Sequence, residues 1–334
     1  MTNIALVGEA WGEQEEILRL PFQGASGYCL NKMLEEAGIR RADCFVTNVF
    51  NLRPKPSNDI ENLCAKKAEV SNKLPPISQG KYIRDEYLPE IERLREELAD
   101  VRPNLVVALG RTAAWALLGS GAISRIRGTV SWSEWGYKVL PTYHPAAILR
   151  QWELRATTVF DLRKASREAS FPEIRRPQRS IWIEPTLEDI IYFKEAYLDR
   201  AEIIAFDIET AAEQITCIGF APGPHEALVI PFFDPRRGGN YWPTQHDERE
   251  AWRIVRSILG LPVPKVTQNG LYDVSYLWQR YGITVNNWAD DTMLLHHALY
   301  PEAQKGLGYL GSIYTNEPAW KTMRKVETLK RGDE

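Results

Sequence analysis

An apolar run that ends at a glycine and is followed by a carboxylate constrains the fold of this chain more than any other stretch. Residues 3–8 read Asn-Ile-Ala-Leu-Val-Gly, and Glu9 and a second glycine, Gly12, come soon after them. A short apolar run of this kind predicts a buried β-strand. Ligands of open α/β sheets bind beyond the carboxyl ends of the strands. The sequence therefore predicts a functional position for Glu9, with a solvated turn glutamate as the alternative.

Three further strand-like runs alternate with amphipathic helical patterns in the first half of the chain. The run at residues 104–110 is almost wholly apolar, as expected for a strand that is covered on both faces. Alternating strands and helices predict a parallel sheet with helices on both sides, which is a three-layer α/β/α fold. The predicted strands are residues 3–8, 44–50, 104–110 and 137–143.

Length, charge and cysteine usage limit the possible classes of protein. The chain has 334 residues, which predicts two domains, and its net charge of −3 excludes a uniformly basic nucleic-acid binder. No apolar run approaches the ~20 residues of a membrane span and no signal peptide is visible, so we expect a cytoplasmic protein without a membrane partner. The four cysteines include no CxxC pair, which predicts scattered reduced thiols and no zinc site.

Polar and aromatic residues follow several of the predicted strands or lie in the loops between them. Phe22 lies in a Pro-Phe-Gln-Gly turn, Asn48 lies near the end of the second strand, and His144 follows the fourth. Each residue alone has a structural interpretation: Phe22 as a core residue, Asn48 as a strand-end hydrogen-bonding group and His144 as a structural histidine before a proline. Together they predict one crevice that holds an aromatic face, an amide and an imidazole.

Seven short motifs, taken in chain order, resemble those of the uracil-DNA glycosylase superfamily, and the nearest pattern is its family four. The resemblance implies a glycosylase-like domain over residues 1–168, which acts on DNA. The motifs are Gly8-Glu-Ala-Trp-Gly12, Pro21-Phe-Gln-Gly24, Thr47-Asn-Val49, Asn51-Leu-Arg-Pro54, Leu109-Gly110, Arg127-Gly128 and Tyr143-His-Pro-Ala146.

The resemblance implies how a uracil that has been flipped out of DNA would be bound. Phe22 would stack on the extruded ring, and Gly8 and Ala10 would also belong to the base-binding residues. The amide of Asn48 would donate and accept at the O4/N3 edge of uracil, and cytosine presents the opposite pattern, so a fixed amide discriminates between the two bases.

The resemblance also assigns the catalytic and DNA-contacting residues. His144 would donate to O2 of uracil and stabilise the departing anion, and Glu9 would hold the attacking water or favour the cationic sugar. The three residues Ile148, Leu149 and Arg150 would fill the emptied base stack and grip phosphate.

Family four normally carries an iron–sulfur cluster on four cysteines, and this sequence departs from that pattern. Only Cys64 matches one of them, because Leu52 occupies the position of another and the chain starts at its first strand. The sequence therefore predicts no cluster and no other cofactor for the glycosylase. Trp11 replaces the proline of the family's first motif, and we expect it to narrow the pocket or stack on DNA.

An insertion at about residues 53–85 has no counterpart in the compact members of the family. Long excursions within a compact domain are usually functional or disordered. Two interpretations stay open from the sequence: a lid or DNA-facing insertion, or a passive surface insertion. In either case it could take over the structural role of the missing cluster.

The second half begins with a linker predicted at residues 169–180 and continues as a domain predicted at residues 181–334. Asp207 and Glu209 are two residues apart on a predicted strand, so both carboxylates point to one face. Two neighbouring acids repel each other unless a cation joins them, which makes the pair a candidate metal site.

This second half resembles the DEDD-type 3′–5′ exonuclease domain of family-A DNA polymerases, which has a ribonuclease-H-like sheet. Asp207 and Glu209 match its first motif, and Asn269 with Asp273 matches its second. The resemblance implies that Asp207, Glu209 and Asp273 would hold Mg²⁺ or Mn²⁺. The third motif is missing, so the domain is predicted to be truncated and an independent nuclease activity is not expected.

The sequence thus predicts a monofunctional DNA glycosylase for uracil or a C5-modified uracil, in single- or double-stranded DNA. The order of the two domains is similar to the front of some bacteriophage DNA polymerases, which implies replication or repair as the context and a polymerase subunit as a possible partner. The alternatives are a module that recognises DNA or a modified base without cutting it, and the front half of a split replicative polymerase or exonuclease.

Overall fold

The apolar runs of the first half form a five-stranded sheet in the computed structural model, which describes residues 3–318. The strands of this part, including one separate short pair, are Ile4–Ala10 (β1), Cys44–Phe50 (β2), Cys64–Ala65 (β3), Tyr82–Ile83 (β4), Leu105–Leu109 (β5), Ser131–Trp132 (β6) and Lys138–Thr142 (β7). The sheet order is β2-β1-β5-β7-β6, in which only β6 is antiparallel to its neighbour, and β3 pairs with β4. All four predicted strands are confirmed.

Helices cover both faces of this sheet, as predicted. They are Glu13–Leu18 (α1), Ala25–Glu36 (α2), Leu88–Val101 (α3), Arg111–Leu118 (α4), Ile123–Ile126 (α5), Pro145–Arg150 (α6) and Leu154–Glu168 (α7). Because side chains alternate along a strand, β1 contributes to two cores. Leu6 packs with Leu30 and Leu162 on one face, whereas Val7 packs with Leu94 on the other. The three-layer α/β/α architecture is therefore confirmed.

The insertion at residues 53–85 is an ordered part of the second of these cores. It contains the β3–β4 pair, and its side chains Ile60 and Ile83 are buried together with those of α3 and α4. The indole nitrogen of Trp115 on α4 donates to the carbonyl of Pro75 at 2.9 Å. The insertion is thus held in place by apolar packing and by a hydrogen bond from α4, one of the helices that cover the sheet.

A mixed sheet forms the second half. Its strands, with one separate pair, are Ser180–Trp182 (β8), Ile204–Ala211 (β9), Gln214–Ala221 (β10), Glu226–Pro231 (β11), Phe233–Asp234 (β12), Gly239–Asn240 (β13), Lys265–Thr267 (β14) and Trp288–Asp291 (β15). The order is β15-β14-β9-β10-β11-β8, with an antiparallel β9–β10–β11 meander and with β14 and β15 parallel to β9. This is the ribonuclease-H-like arrangement that was predicted, with β8 at one edge.

Helices pack on this sheet around Phe206, Phe220 and Leu277. They are Leu187–Phe193 (α8), which continues as the π-helical turn Lys194–Leu198, and then Gln245–Leu259 (α9), Leu271–Tyr281 (α10) and Thr292–Leu299 (α11). A last helix, Leu307–Tyr314 (α12), follows. None of the helices found within residues 3–318 combines the length and the apolar character that crossing a membrane requires.

The chain divides into two compact units whose boundary differs from the predicted one. Residues 176–307 form the second unit, whereas the described residues 308–318 belong with residues 3–175 to the first. The sequence had assigned everything from residue 181 onward to the second domain. The rest of that range, residues 319–334, lies outside the described residues.

Buried polar contacts fix the 308–318 segment to the first unit. The Tyr309 hydroxyl hydrogen-bonds the Thr157 hydroxyl at 2.9 Å, and the Lys164 ammonium group donates to the carbonyl of Ser312 at 2.9 Å. Burial of Lys164 lowers its pKa to about 8. The first unit is therefore built from two separate stretches of the chain, between which the second unit is inserted.

Candidate active site

Seven of the predicted site residues line one cavity of about 730 Å³, and four of them carry the proposed chemistry. Glu9 lies at the end of β1, Asn48 lies near the end of β2 and His144 follows β7, so the parallel sheet brings all three to one edge. Phe22, from the loop between α1 and α2, lines the same cavity. The geometry thus joins a carboxylate, an aromatic ring, an amide and an imidazole.

Glu9 is held by a threonine that the sequence did not single out. The Thr112 hydroxyl donates to Oε2 of Glu9. Thr112 is fully buried and lies in the first turn of α4, whose positive N-terminal end favours a carboxylate.

Phe22 is fixed in a tight turn. Its backbone is left-handed, with φ of +55°, and its ring is buried. Arg41 donates to the carbonyls of Pro21 at 2.8 Å and of Phe22 at 3.2 Å. A Cβ atom on Gly27 would lie 1.9 Å from the Phe22 carbonyl oxygen, so only glycine fits below the turn. The ring centroid of Phe22 lies 5.7 Å from that of His144 with an interplanar angle of 30°.

Glu15, which was not predicted, ties this turn to the loop after β1. Its carboxylate accepts backbone N–H groups from Gln23 at 2.8 Å, Gly24 at 3.0 Å and Gly12 at 3.2 Å. Burial alone would raise the pKa of Glu15, but these hydrogen bonds outweigh it and lower the pKa. The spacing Gly12-x-x-Glu15, a helix start followed by an acid at the third position, is the pattern that could have indicated it.

Asn48 presents an unpaired donor. Its side chain is 2% exposed, and its Nδ2 atom has no hydrogen-bond partner within the described part of the chain. Arg93 donates to the backbone carbonyls of Asn48 at 2.9 Å and of Val49 at 3.1 Å, which fixes the end of β2. A Cβ atom on Gly8 would lie 2.3 Å from Oδ1 of Asn48 and 2.5 Å from the Phe22 ring, so Gly8 leaves the space in which both side chains fit.

His144 caps α6 with its own ring. The Ala146 N–H donates to Nδ1 at 3.1 Å, which makes Nδ1 an acceptor and assigns the proton of the neutral ring to Nε2. Burial lowers the pKa of His144, although the charge of Glu9 opposes this shift. The ring is therefore a neutral Nε2–H donor at neutral pH. A Cβ atom on Gly110 would lie 2.7 Å from Cβ of His144, so a glycine is required behind the ring.

A buried ion pair lies next to the strand that carries His144. Asp161 accepts two hydrogen bonds from Arg127, and the Thr142 hydroxyl donates to the same carboxylate at 2.6 Å. The side chains of Arg127 and Asp161 are 4% and 0% exposed. Because Thr142 is the last residue of β7, this network anchors the strand immediately before the functional loop.

The insertion also reaches the cavity. Residues 57–60 line it together with Ala10 and Trp11. The backbone N–H of Trp11 donates to the carbonyl of Leu52 at 3.1 Å, which joins the loop after β1 to the start of the insertion. Of the two interpretations left open by the sequence, this geometry favours the one in which the insertion contributes to the site.

The three residues predicted to contact DNA after His144 do not share one environment. Leu149 is 50% exposed, and the exposed Arg150 lines the cavity. Ile148, in contrast, is fully buried in the core, so its prediction as part of a wedge is wrong. It lies three residues after the buried Pro145, on the inward face of α6, whereas the next two residues face outward. The neighbouring Trp152, which was not predicted, is 65% exposed.

Two of the predicted metal residues of the second unit, Asp207 and Glu209, lie on β9, and the third, Asp273, lies on α10. Asp207 and Glu209 are exposed on the same face of the strand, whereas Asp273 is buried and accepts the backbone N–H of Ile208 at 3.0 Å. Burial raises the pKa of Asp273, with Asp291 and Glu209 adding to the shift. Across residues 3–318, no three Asp, Glu, His or Cys side chains assemble into a group that could hold a metal ion.

The four cysteines, from which the sequence predicts no iron–sulfur cluster, are free thiols. Cys217 belongs to the second unit, whereas Cys29, Cys44 and Cys64 belong to the first. The thiol of Cys64 donates to the carbonyl of Ile60 at 3.4 Å inside the insertion. Burial raises the pKa of all four thiols, that of Cys44 to about 11, which disfavours the thiolate form that binds metal.

The first unit is thus an α/β domain with a polar and aromatic site at the carboxyl ends of its parallel strands. Residues 1–168 match the family model of the uracil DNA glycosylase superfamily. The chain is 36% identical over 174 residues to the type-4 uracil-DNA glycosylase of Archaeoglobus fulgidus, which covers 48% of this chain and 74% of that protein. It is 32% identical over 169 residues to the type-4 enzyme of Thermotoga maritima, with 49% and 76% covered. The chain belongs to the uracil-DNA glycosylase superfamily.

A solved structure similar to this chain is that of Escherichia coli RNase D, an exoribonuclease involved in structured RNA processing. The identity is 20% and the TM-score is 0.31, and the match covers 42% of this chain and 34% of RNase D.

Proposed function

We propose that this chain is a hydrolase that cuts the N-glycosidic bond of uracil in DNA. The observation that carries the proposal is the single cavity lined by Glu9, Phe22, Asn48 and His144, in which the buried Nδ2 atom of Asn48 lacks a partner within the described residues. An unpaired buried donor costs free energy unless a ligand satisfies it. The carbonyl oxygen O4 of uracil is a hydrogen-bond acceptor that satisfies this donor.

The proposed role of Asn48 is to select uracil. The side chain donates from Nδ2 to O4 and accepts the N3 proton at Oδ1, whereas cytosine presents a donor and an acceptor in the reverse order. Selection of this kind is strong, because the wrong base leaves buried polar groups unpaired. Arg93 supports the role by fixing the backbone of Asn48, and Phe22 supplies the apolar face for the base.

The proposed chemistry separates charge in two directions. Breaking the bond leaves negative charge on the base and positive charge on the sugar. His144 donates from Nε2–H to O2 of the departing base, and it does so as a neutral donor because burial lowers its pKa. Glu9 either holds the attacking water or stabilises the positive sugar.

Four finer points belong to the same proposal. Leu149, Arg150 and Trp11 contact DNA around the extruded nucleotide, and a C5-substituted uracil is accepted if the space beside Trp11 allows it. The enzyme works without an iron–sulfur cluster, which is supported by the raised pKa values of its four thiols. Its biological setting is phage replication or repair, with a DNA polymerase subunit as a partner.

The test uses duplex and single-stranded oligonucleotides that carry one uracil and a 5′ label. After incubation and alkali treatment, the wild-type protein should give strand breaks at the uracil and none at a cytosine or thymine. The variants N48A and H144A should lose most of this activity. H297A, which removes an exposed histidine of α11, is the matched control and should behave as wild type.

The same assay decides between excision and recognition. If the wild-type protein leaves every uracil in place, yet retards uracil-containing DNA in a gel, it is a recognition module and the proposal of catalysis is wrong. Repeating the assay with uracils that carry hydroxymethyl or other C5 groups identifies the accepted base.

For the second unit we propose no independent nuclease activity. The proposal is supported by the described residues 3–318, in which Asp207, Glu209 and Asp273 do not assemble into a group that could hold a metal ion. The test is Mg²⁺-dependent 3′ trimming of a labelled strand. The proposal would be contradicted if the wild-type protein alone trims the strand and the D207A variant does not.

A further inference from the structure

We infer that Thr112 is the positioning residue that orients the carboxylate of Glu9 for the reaction, an inference that rests on the proposed function. The two residues are 103 positions apart in the chain, and the hydroxyl of Thr112 donates to Oε2 of Glu9. The sequence motifs give no indication of this pairing. It exists because β1 and β5 are adjacent parallel strands, in which Val7 pairs with Ala108.

The environment of Thr112 leaves its hydroxyl little freedom. The residue is fully buried in the first turn of α4, two positions after the N-cap Gly110. Its β-branched side chain is restricted at χ1. An ionised carboxylate has only acceptors, so the hydroxyl must be the donor. Hydrogen bonds to a charged group are the stronger ones, and this bond therefore fixes the orientation of Glu9.

The position of this bond relative to the cavity gives it a catalytic consequence. Thr112 holds one oxygen of Glu9, so Oε1 remains for a water molecule or for the sugar of a bound nucleotide. The N-terminal end of α4 adds a favourable field for the negative charge. Without Thr112, a glutamate side chain at the end of a strand samples several rotamers, and small displacements of a reacting group reduce rates strongly.

The test compares three variants. T112V replaces the hydroxyl by a methyl group of similar size, and T112S keeps the hydroxyl. In single-turnover excision of uracil, T112V should be slower by about tenfold to a hundredfold, which is the size expected for one hydrogen bond to a charged group. T112S should recover most of the rate. T158V, which removes an equally buried helical hydroxyl that bonds to Leu154, is the matched control.

One further measurement separates positioning from a merely structural effect. The dissociation constant for uracil-containing DNA should be the same in T112V and wild type, because Thr112 acts on Glu9 and not on the base. A T112V variant with the wild-type rate would overturn the inference and leave the proposed function intact.

An NMR experiment tests the inference even if the wild-type protein excises no uracil. The carboxyl carbons of glutamate are labelled with ¹³C, and the signal of Glu9 is identified by its loss in E9Q. Its chemical shift at neutral pH should differ between T112V and wild type, because the carboxylate has lost the Thr112 donor. Equal chemical shifts would contradict the hydrogen bond itself, whatever the protein does to uracil.

Discussion

Of the charged residues that we propose to replace, Asp161 is the one whose loss should destabilise the first unit most. D161A leaves the guanidinium of Arg127 buried without its partner, and both side chains are almost fully inaccessible to water. Breaking a buried pair by removing one member costs about 3–5 kcal/mol. For a domain of this size each kcal/mol lowers the melting temperature by about 2–4 °C, so the first unit should melt roughly 6–20 °C earlier. Scanning calorimetry of the whole chain measures this shift.

The consequence for the site follows from Thr142. Its hydroxyl donates to Asp161, and it ends the strand that leads to His144. D161A should therefore also slow uracil excision at temperatures at which the protein is still folded. The matched control is D43A, which breaks an exposed pair with Arg40 and should cost no more than about 0.5 kcal/mol. If D161A and D43A have the same melting temperature, the anchoring role assigned to the buried pair is wrong.

Three further predictions concern other parts of the first unit. The pKa of Lys164 in the folded protein is about 8, below its ordinary value of 10.5, so between these pH values the unfolded chain binds more protons than the folded one. The free energy of unfolding of wild type, compared with that of K164M, should therefore rise by about 2 kcal/mol from pH 8 to pH 10. Urea titrations of both proteins measure this change. G8A should abolish excision while the circular dichroism spectrum stays native, because its Cβ atom would lie 2.3 Å from Oδ1 of Asn48. I83A, at a fully buried position of the insertion, should cost about 2–5 kcal/mol in the same titrations, whereas I17A, at an exposed one, should change stability by less than about 0.5 kcal/mol.

The fold of the first half could be predicted because its local patterns agree with its tertiary structure. The strands at Leu105–Leu109 and Lys138–Thr142 are buried along their whole length, so their apolar runs are readable without any partner. Glu9, Asn48 and His144 could be found for the same reason, since a parallel sheet brings the ends of its strands to one edge.

The supporting residues could not be predicted because their partners lie far away in sequence. Arg41 contacts a turn about twenty positions earlier, and Thr112 contacts a strand that lies 103 positions earlier. Nothing in the local composition around either residue indicates these contacts. The contacts of residues 308–318 with the first unit span a still longer distance in sequence, because the whole second unit lies between them; Tyr309 and Thr157, for example, are 152 positions apart.

The wrong prediction of Ile148 shows why motif position is a poor guide to exposure within a short helix. Residues 148–150 are consecutive, and a helix turns by about 100° for each residue, so three neighbours cannot share one face. Pro145 and Ile148, three apart, both face the core. Leu149 and Arg150 remain on the outer side, where DNA could be contacted.

Three helix starts converge on the cavity, and together they explain why the site suits a reaction that leaves an anion. Gly12, Gly110 and His144 cap α1, α4 and α6, and all three line the cavity. Each helix carries partial positive charge at this end, although in α6 the first residue, Pro145, has no N–H group and the N–H of Ala146 already bonds to His144. In the proposed reaction, a base that departs with negative charge would enter this field as it meets Nε2–H of His144. Because the helix ends and the ring are already in place, these donors would need no reorientation during bond cleavage.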